Sequence, residues 1–137
     1  MDKLKFAIPK GSLEKATAEF FSKSGFKIGG TERTYRPSIN DPQIELKVLR
    51  PQEIPVFVSE GLQDLGITGE DWVKENRADV EILQNLEYGK IRLVIAVPKT
   101  CENMTMGEYM ESIWAQGKNF RISTEYLNIA SEYLKNT

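Results

Sequence analysis

Three short stretches of this chain set small, hydroxylated or cationic residues directly after β-type sequence: Lys10-Gly11-Ser12, Thr68-Gly69-Glu70-Asp71 and Ser123-Thr124-Glu125-Tyr126. Each closes an apolar run and opens a helical pattern. In open α/β sheets, ligands gather beyond the carboxyl ends of the strands, where helix N-termini present free N–H groups. A glycine there lets the backbone approach an oxyanion, and a hydroxyl adds a donor. The chemistry suited to such junctions is the cradling of phosphate oxygens. Taken singly, Lys10-Gly11-Ser12 reads more readily as a capped helix start, and Thr68-Gly69 reads equally as a tight backbone approach beside Gly66. The set of three is what points to a site.

Arginine is the second feature. Arg50 ends the apolar run Ile44 to Leu49 and stands just before Pro51, a position from which a guanidinium can hold phosphate bidentately. Arg33 and Arg36 lie in a polar stretch, and Arg36 reads as a solvated surface cation. Asp71, in the first turn of a helix, complements the helix dipole or contacts a ribose hydroxyl, and Asp64 reads as a turn residue or in the same way. Tyr35 and Tyr126 lie near loops and suit stacking on a purine, whereas Phe20, Phe21, Phe57 and Trp72 fall on helical stripes and read as core. Glu70 and Glu125 have no partner that would make them an acid–base pair. The residues alone thus point to a binder of a phosphorylated, purine-type small molecule.

Composition narrows the rest. The chain has 137 residues, 40% of them hydrophobic and 28% charged, which suits a soluble globular protein with a real core. A net charge of -2 argues against nucleic acid as a partner. The chain contains no histidine, so the commonest general base and the commonest metal ligand are both missing, and no metal is assigned to side chains. The one cysteine, Cys101, lies in a polar stretch and reads as incidental. The apolar run Phe6 to Ile8 is too short for a signal-peptide core or a membrane span, so the expected compartment is the cytoplasm and no membrane partner is expected.

The elements that must position these residues alternate between strand and helix, the pattern of an α/β protein with a largely parallel sheet. Leu4 to Ile8 is expected as a strand. A helix follows with Ser12 as its cap, an apolar stripe at Leu13, Ala16, Phe20 and Phe21, and Gly25 beyond its end. Residues 29 to 41 are expected as a loop and Ile44 to Leu49 as a strand. Pro51 is expected in the first turn of a helix that buries Ile54, Phe57, Val58 and Leu62. A very short strand at Asp64 to Gly69 leads into a helix at Glu70. Strands are expected again at Val80 to Leu86, Ile91 to Val97 and Phe120 to Ser123, with helices from Glu108 to Ala115 and from about Asn128. The composition shifts near Pro98, which divides the chain into residues 1–98 and 99–137.

In order, these segments resemble the ATP phosphoribosyltransferase family. The resemblance rests on Ile8-Pro-Lys-Gly-Ser-Leu, Tyr35-Arg-Pro-Ser-Ile-Asn-Asp-Pro, Leu49-Arg-Pro-Gln-Glu-Ile-Pro, Asp64-Leu-Gly-Ile-Thr-Gly-Glu-Asp-Trp, Arg92-Leu-Val-Ile-Ala-Val-Pro and Arg121-Ile-Ser-Thr-Glu-Tyr. It implies a fold like that of type II periplasmic binding proteins, with residues 1–98 a first α/β lobe and 99–137 the incomplete beginning of a second. It implies condensation of ATP with 5-phosphoribosyl 1-pyrophosphate, the first step of histidine biosynthesis. The cations Lys10, Arg33 and Arg50 would lie around the phosphates, and Gly11, Ser12, Thr68, Gly69, Asp71, Thr124 and Tyr126 would bind substrate. Mg2+ would ride on the substrate phosphates. The expected partners are the two substrates, further copies of the chain as a dimer or an assembly of dimers, and a separate regulatory subunit.

Two departures accompany the resemblance. Ser12 stands where many members carry arginine, and the family's acidic segment leading into Thr-Gly-Thr-like residues belongs beyond Thr137. The chain alone is therefore expected to turn over poorly. The alternative is a non-catalytic binding or regulatory subunit of the same fold.

Overall fold

The computed structural model describes residues 2–30 and 35–136. It divides into two compact units, Met1–Lys90 with Asn128–Thr137, and Ile91–Leu127. The chain thus leaves the first unit after Lys90 and returns to it at Asn128, where the sequence reading placed one boundary at Pro98.

The first unit is built on β1 (Leu4–Pro9), which lies between β4 (Ile44–Leu49) and β5 (Leu65–Gly66) in a sheet of order β4-β1-β5. Both pairings are parallel, with Leu4 opposite Ile44 and Pro9 opposite Leu49 on one edge, and Phe6 opposite Leu65 on the other. Parallel strands need coverage on both faces, which explains the successive apolar residues Phe6 to Ile8 in β1 and Val48 and Leu49 in β4. Alternation then divides the side chains between two cores. Ile8, Leu46 and Val48 pack with Phe21 and Ile67. Ala7 and Leu49 pack with Ile54 on the other side.

Helix α1 (Glu14–Lys23) places Phe21 edge-on to Phe6, with ring centroids 5.3 Å apart. Its start differs from the sequence reading. Gly11 takes φ +87° and opens a 3-10 turn, Gly11–Leu13, so Leu13 occupies the N-cap position and no side chain caps the helix. Ser12 sits inside the tight turn and is therefore not the cap. The other end follows the expected rule. Gly25 has φ +91°, its N–H reaches Ser22 O at 3.1 Å, and Phe26 N–H reaches Phe21 O at 2.9 Å. That pair of bonds is a Schellman motif, which satisfies two of the last helical carbonyls.

The expected loop 29 to 41 contains more order than its polarity suggests. β2 (Ile28–Gly29) pairs antiparallel with β3 (Ser38–Ile39). Helix α2 (Ile54–Ser59) begins later than expected, because residues Pro51 to Glu53 form a turn closed by Glu53 N–H to Arg50 O at 2.9 Å. It also ends before Leu62, which is consequently exposed. Helix α3 (Glu70–Glu75) follows β5 directly. Gly66 is required in β5 because a Cβ there would lie 2.5 Å from Ile54 Cγ2 and 3.3 Å from Ala7 O.

In the second unit, helix α4 (Met106–Ala115) starts where Thr105 Oγ1 accepts the Glu108 N–H at 3.1 Å. Tyr109 packs edge-on to Phe120, with centroids 6.1 Å apart. The strands expected at 80–86, 91–97 and 120–123 do not form among the described residues. Their composition has the right apolar character, but a strand exists only in a ladder, and none of the three segments has a strand partner here. Leu83 and Val94 accordingly remain 84% and 74% exposed. Helix α5 (Leu127–Lys135) closes the chain on the first unit. No helix among the described residues is long and apolar enough to cross a membrane.

The exit from the first unit is fixed by Tyr88. Its hydroxyl lies 3.0 Å from Thr17 Oγ1, and Thr17 is buried in α1. Burial pushes the Tyr88 phenol above its ordinary pKa, and the Thr17 hydrogen bond opposes this only in part. A raised folded-state pKa leaves stability unaffected below the unfolded value and removes it as pH rises through the folded one. Tyr88→Phe is expected to lower stability by about 1 kcal/mol at neutral pH, the worth of one hydrogen bond. The gap between wild type and variant should then shrink above about pH 10. Urea midpoints measured across pH 7 to 11 check this; curves that stay parallel would contradict it.

Candidate functional site

The parallel arrangement brings the ends of β4, β1 and β5 out of the sheet side by side, and Lys10, Arg50 and Thr68 lie just beyond them, whereas Asp64 precedes β5 and its carboxylate accepts the Lys5 N–H at 2.8 Å. Lys10 follows β1, and its N–H continues the ladder to Leu49 O at 2.8 Å. Arg50 follows β4. Ile67, bonded through its N–H to Ala7 O at 3.0 Å, leads from β5 to Thr68. Three strands and two ladders thus set a lysine, an arginine and a hydroxyl-bearing glycine turn on one end of one sheet. Lys10 and Arg50 are both exposed. The Lys10 ammonium lies 5.7 Å from the centre of the Tyr35 ring, a cation–π contact that gives Tyr35 a local role besides the expected stacking.

The glycine positions differ in what they permit. Gly11 at φ +87° lies in open space, so its backbone conformation, not crowding, calls for glycine. It turns the chain so that the first N–H groups of the 3-10 turn have no helical partner and face outward with Ser12. Gly69 is the N-cap residue of α3 in extended conformation, and a Cβ on it would collide with the Asp71 carboxylate and approach Trp72. Asp71 therefore folds back over the start of its own helix, as an acid in the first turn is expected to do.

Thr68 is placed differently from a simple ligand hydroxyl. Its Oγ1 donates to Pro51 O at 2.7 Å, so the hydroxyl proton is committed to the turn that follows Arg50. A lone pair remains available as an acceptor. The same turn is held a second time by Asn76 Nδ2, which donates to Gln52 O at 2.8 Å. Asn76 was not read as functional. Its signal in the sequence is weak, since an asparagine just beyond a short helix is usually a cap. The structure makes it, with Thr68, a clamp on the backbone that carries Arg50.

The remaining candidates lie elsewhere. Arg33 falls outside the described residues. Thr124 and Tyr126 are in the second unit, where Thr124 Oγ1 accepts the Tyr126 N–H at 2.9 Å and shapes the turn leading to α5. Arg36 is exposed, as expected of a surface cation, and lies 3.8 Å from Glu45, a pair the sequence did not suggest. Two concavities of about 290 and 250 Å3 lie toward the amino ends of the strands, lined among others by Lys5, Lys47 and Ile44, and none of the strand-end candidates lines them. Among the described residues no three His, Cys, Asp or Glu side chains converge.

The fold is α/β with a parallel sheet, and the cations, glycine turns and hydroxyls at the carboxyl ends of its strands are groups of the kind that suit oxyanions. Comparison with known proteins makes this specific. The profile of the HisG family, ATP phosphoribosyltransferase, matches residues 50–137, and the chain belongs to that family. It is 40% identical over 138 residues to the ATP phosphoribosyltransferase of Pelotomaculum thermopropionicum, covering 97% of this chain and 45% of that protein. With the Desulforudis audaxviator protein of the same name the identity is 39%, covering 96% and 45%. The chain thus spans about half the length of the curated relatives it matches. One structure, the ATP phosphoribosyl transferase (HisG:HisZ) complex from Thermotoga maritima, is 29% identical with a TM-score of 0.48, covering 57% of this chain and 37% of that one.

The clamp on the Arg50 turn has a direct test. Thr68→Val keeps the shape of the side chain and removes the donor to Pro51 O. It is expected to cost about 1 kcal/mol in urea unfolding. It should also speed hydrogen exchange at the Glu53 amide, which closes the same turn. Unaltered stability and exchange would mean that the turn holds itself.

Proposed function

We propose that the protein is an ATP phosphoribosyltransferase that joins ATP to 5-phosphoribosyl 1-pyrophosphate in the first step of histidine biosynthesis. The observation that carries this reading is the convergence of Lys10, Arg50 and the Thr68-Gly69 turn on one sheet end, in a chain that belongs to this family. In the reaction, N1 of the adenine attacks C1 of the ribose. The bond from C1 to the pyrophosphate oxygen breaks, and its electron pair leaves with pyrophosphate. No covalent enzyme intermediate is needed. Catalysis is positioning together with neutralisation of the departing charge, which lysine, arginine and backbone amides supply without a histidine.

Lys10 and Arg50 take the leaving pyrophosphate in this reading, with Arg33 as a third cation. Gly11 and Ser12 offer N–H groups to phosphate oxygens, and Gly69 and Asp71 take the ribose. Thr124 and Tyr126, in the second unit, are the candidates for contacting the nucleotide. Cations, amides and hydroxyls suit phosphate oxygens and not a bare dication, so Mg2+ enters on the substrates. The family resemblance extends the reading to a two-lobed fold of the type II periplasmic-binding-protein kind, a homo-oligomer built of dimers, and a cytoplasmic setting.

Arg50→Ala in the complete gene product tests the reading. Loss of a charge-assisted contact to phosphate is expected to lower kcat/KM by about tenfold or more. The assay is pyrophosphate release that requires both substrates. Unchanged kinetics would remove Arg50 from the site, and binding of both substrates without any product would replace catalysis by a binding role.

A further inference from the structure

Helices α3 and α5 meet through a reciprocal cap. Glu75, the last residue of α3, is 6% exposed although it carries a carboxylate. Its two oxygens accept the backbone N–H groups of Asn128, at 2.8 Å, and Ile129, at 3.0 Å. In α5 these are the second and third helical residues, whose N–H groups a serine or aspartate cap would normally take. The residue at the cap position itself is Tyr126, whose phenol is too long and rigid to serve its own helix start. Asn128 returns the bond, its Nδ2 donating to the Glu75 carbonyl at 2.8 Å. One glutamate thus caps a helix more than fifty residues away, and that helix caps the end of the glutamate's own.

A buried carboxylate is costly unless it is hydrogen-bonded, and here two amides and the positive end of α5 satisfy it. The nearby Arg77–Glu132 pair, 2.9 Å apart, is well exposed on both sides and contributes little by comparison. Position along the chain gives the cap a further consequence. Asn128 is where the chain re-enters the first unit, and Thr124 and Tyr126 lie just upstream. Asn76, next to Glu75, holds the Gln52 carbonyl and with it the turn after Arg50. The end of α3 therefore fastens both the turn that carries Arg50 and the downstream end of the segment that carries Thr124 and Tyr126.

We propose that Glu75 is a positioning residue: by capping α5 it fixes the conformation of the Thr124–Tyr126 turn that leads into that helix and is read as binding the nucleotide. The nucleotide part of this proposal rests on the reading of the protein as an ATP phosphoribosyltransferase. The test compares Glu75→Ala, Glu75→Gln and the control Glu132→Ala. Amide hydrogen exchange in this chain reads the seating, and the KM for ATP in the complete gene product reads its use. In Glu75→Ala, exchange is expected to rise about tenfold or more at Asn128 and Ile129 and also at Tyr126, whose N–H bonds to Thr124 Oγ1 and not to Glu75. The KM for ATP should rise about tenfold, with a smaller change in kcat. Glu75→Gln, which keeps one carbonyl acceptor, should recover part of both effects, and Glu132→Ala should show neither. It would overturn the proposal if exchange at Tyr126 stayed at the wild-type rate. A raised exchange with an unchanged KM in an active enzyme would also overturn it, reducing Glu75 to a stabilising cap. An inactive wild-type gene product would instead count against the enzymatic reading, and the exchange at Tyr126 would still decide whether Glu75 seats the segment.

Discussion

Because β1 pairs in parallel along both edges, with β4 on one side and β5 on the other, three strands leave the sheet in the same direction, β4 ending opposite Pro9 and β5 opposite Ala7. The constraint is geometric before it is chemical. Lys10, Arg50 and Thr68 are far apart in sequence, and each ladder fixes the height of one relative to its neighbour. Pro9 opposite Leu49 sets Lys10 beside Arg50, and Ala7 opposite Gly66 brings the Thr68 turn to the other flank. The close approach at Gly66, where a side chain would strike Ile54 and the Ala7 carbonyl, keeps that second edge tight. Buried apolar area on both faces stabilises the arrangement, and the exposed cations follow from where the strands end.

Electrostatics then act on a backbone already held. Exposed cations screened by water stabilise a fold very little, and the cation–π contact of Lys10 with Tyr35 adds only a modest amount. What does stabilise their surroundings is neutral: the Lys10 N–H in the ladder, the Thr68 hydroxyl and Asn76 amide on the Pro51–Gln52 carbonyls, and glycine at the turns. This separation suits a site that must neutralise charge on a ligand which comes and goes. The turns are held without the cations, which remain exposed.

The sequence was legible where the deciding interactions were local or strongly periodic. The strand Ile44–Leu49 was readable to the residue because Ile44, Leu46 and Val48 alternate with Glu45 and Lys47 at the strand period, and the end of α1 was readable because Gly25 has only a few uses after a helical stripe. The Ser12 cap failed because Gly11 adopts φ +87° and begins a 3-10 turn, a choice that residue types do not reveal. The segments 80–86, 91–97 and 120–123 have strand composition without a ladder, since pairing is a property of the partner and not of the segment. Of the candidate site, the residue types at the strand ends were visible in advance. The commitment of the Thr68 hydroxyl to Pro51, the part played by Asn76 and the cap supplied by Glu75 were not, because each joins residues at least seventeen positions apart.

The central claim is that the carboxyl ends of β1, β4 and β5 form one oxyanion surface. An amide NMR titration of the chain with pyrophosphate tests it most directly. The account predicts saturable shifts clustered at Gly11, Ser12, Gly69 and Glu70, with the amides of Lys5 and Glu45 at the other end of the sheet unmoved. Shifts centred on Lys5, Glu45 and Lys47, or no saturable shift at all, would contradict it.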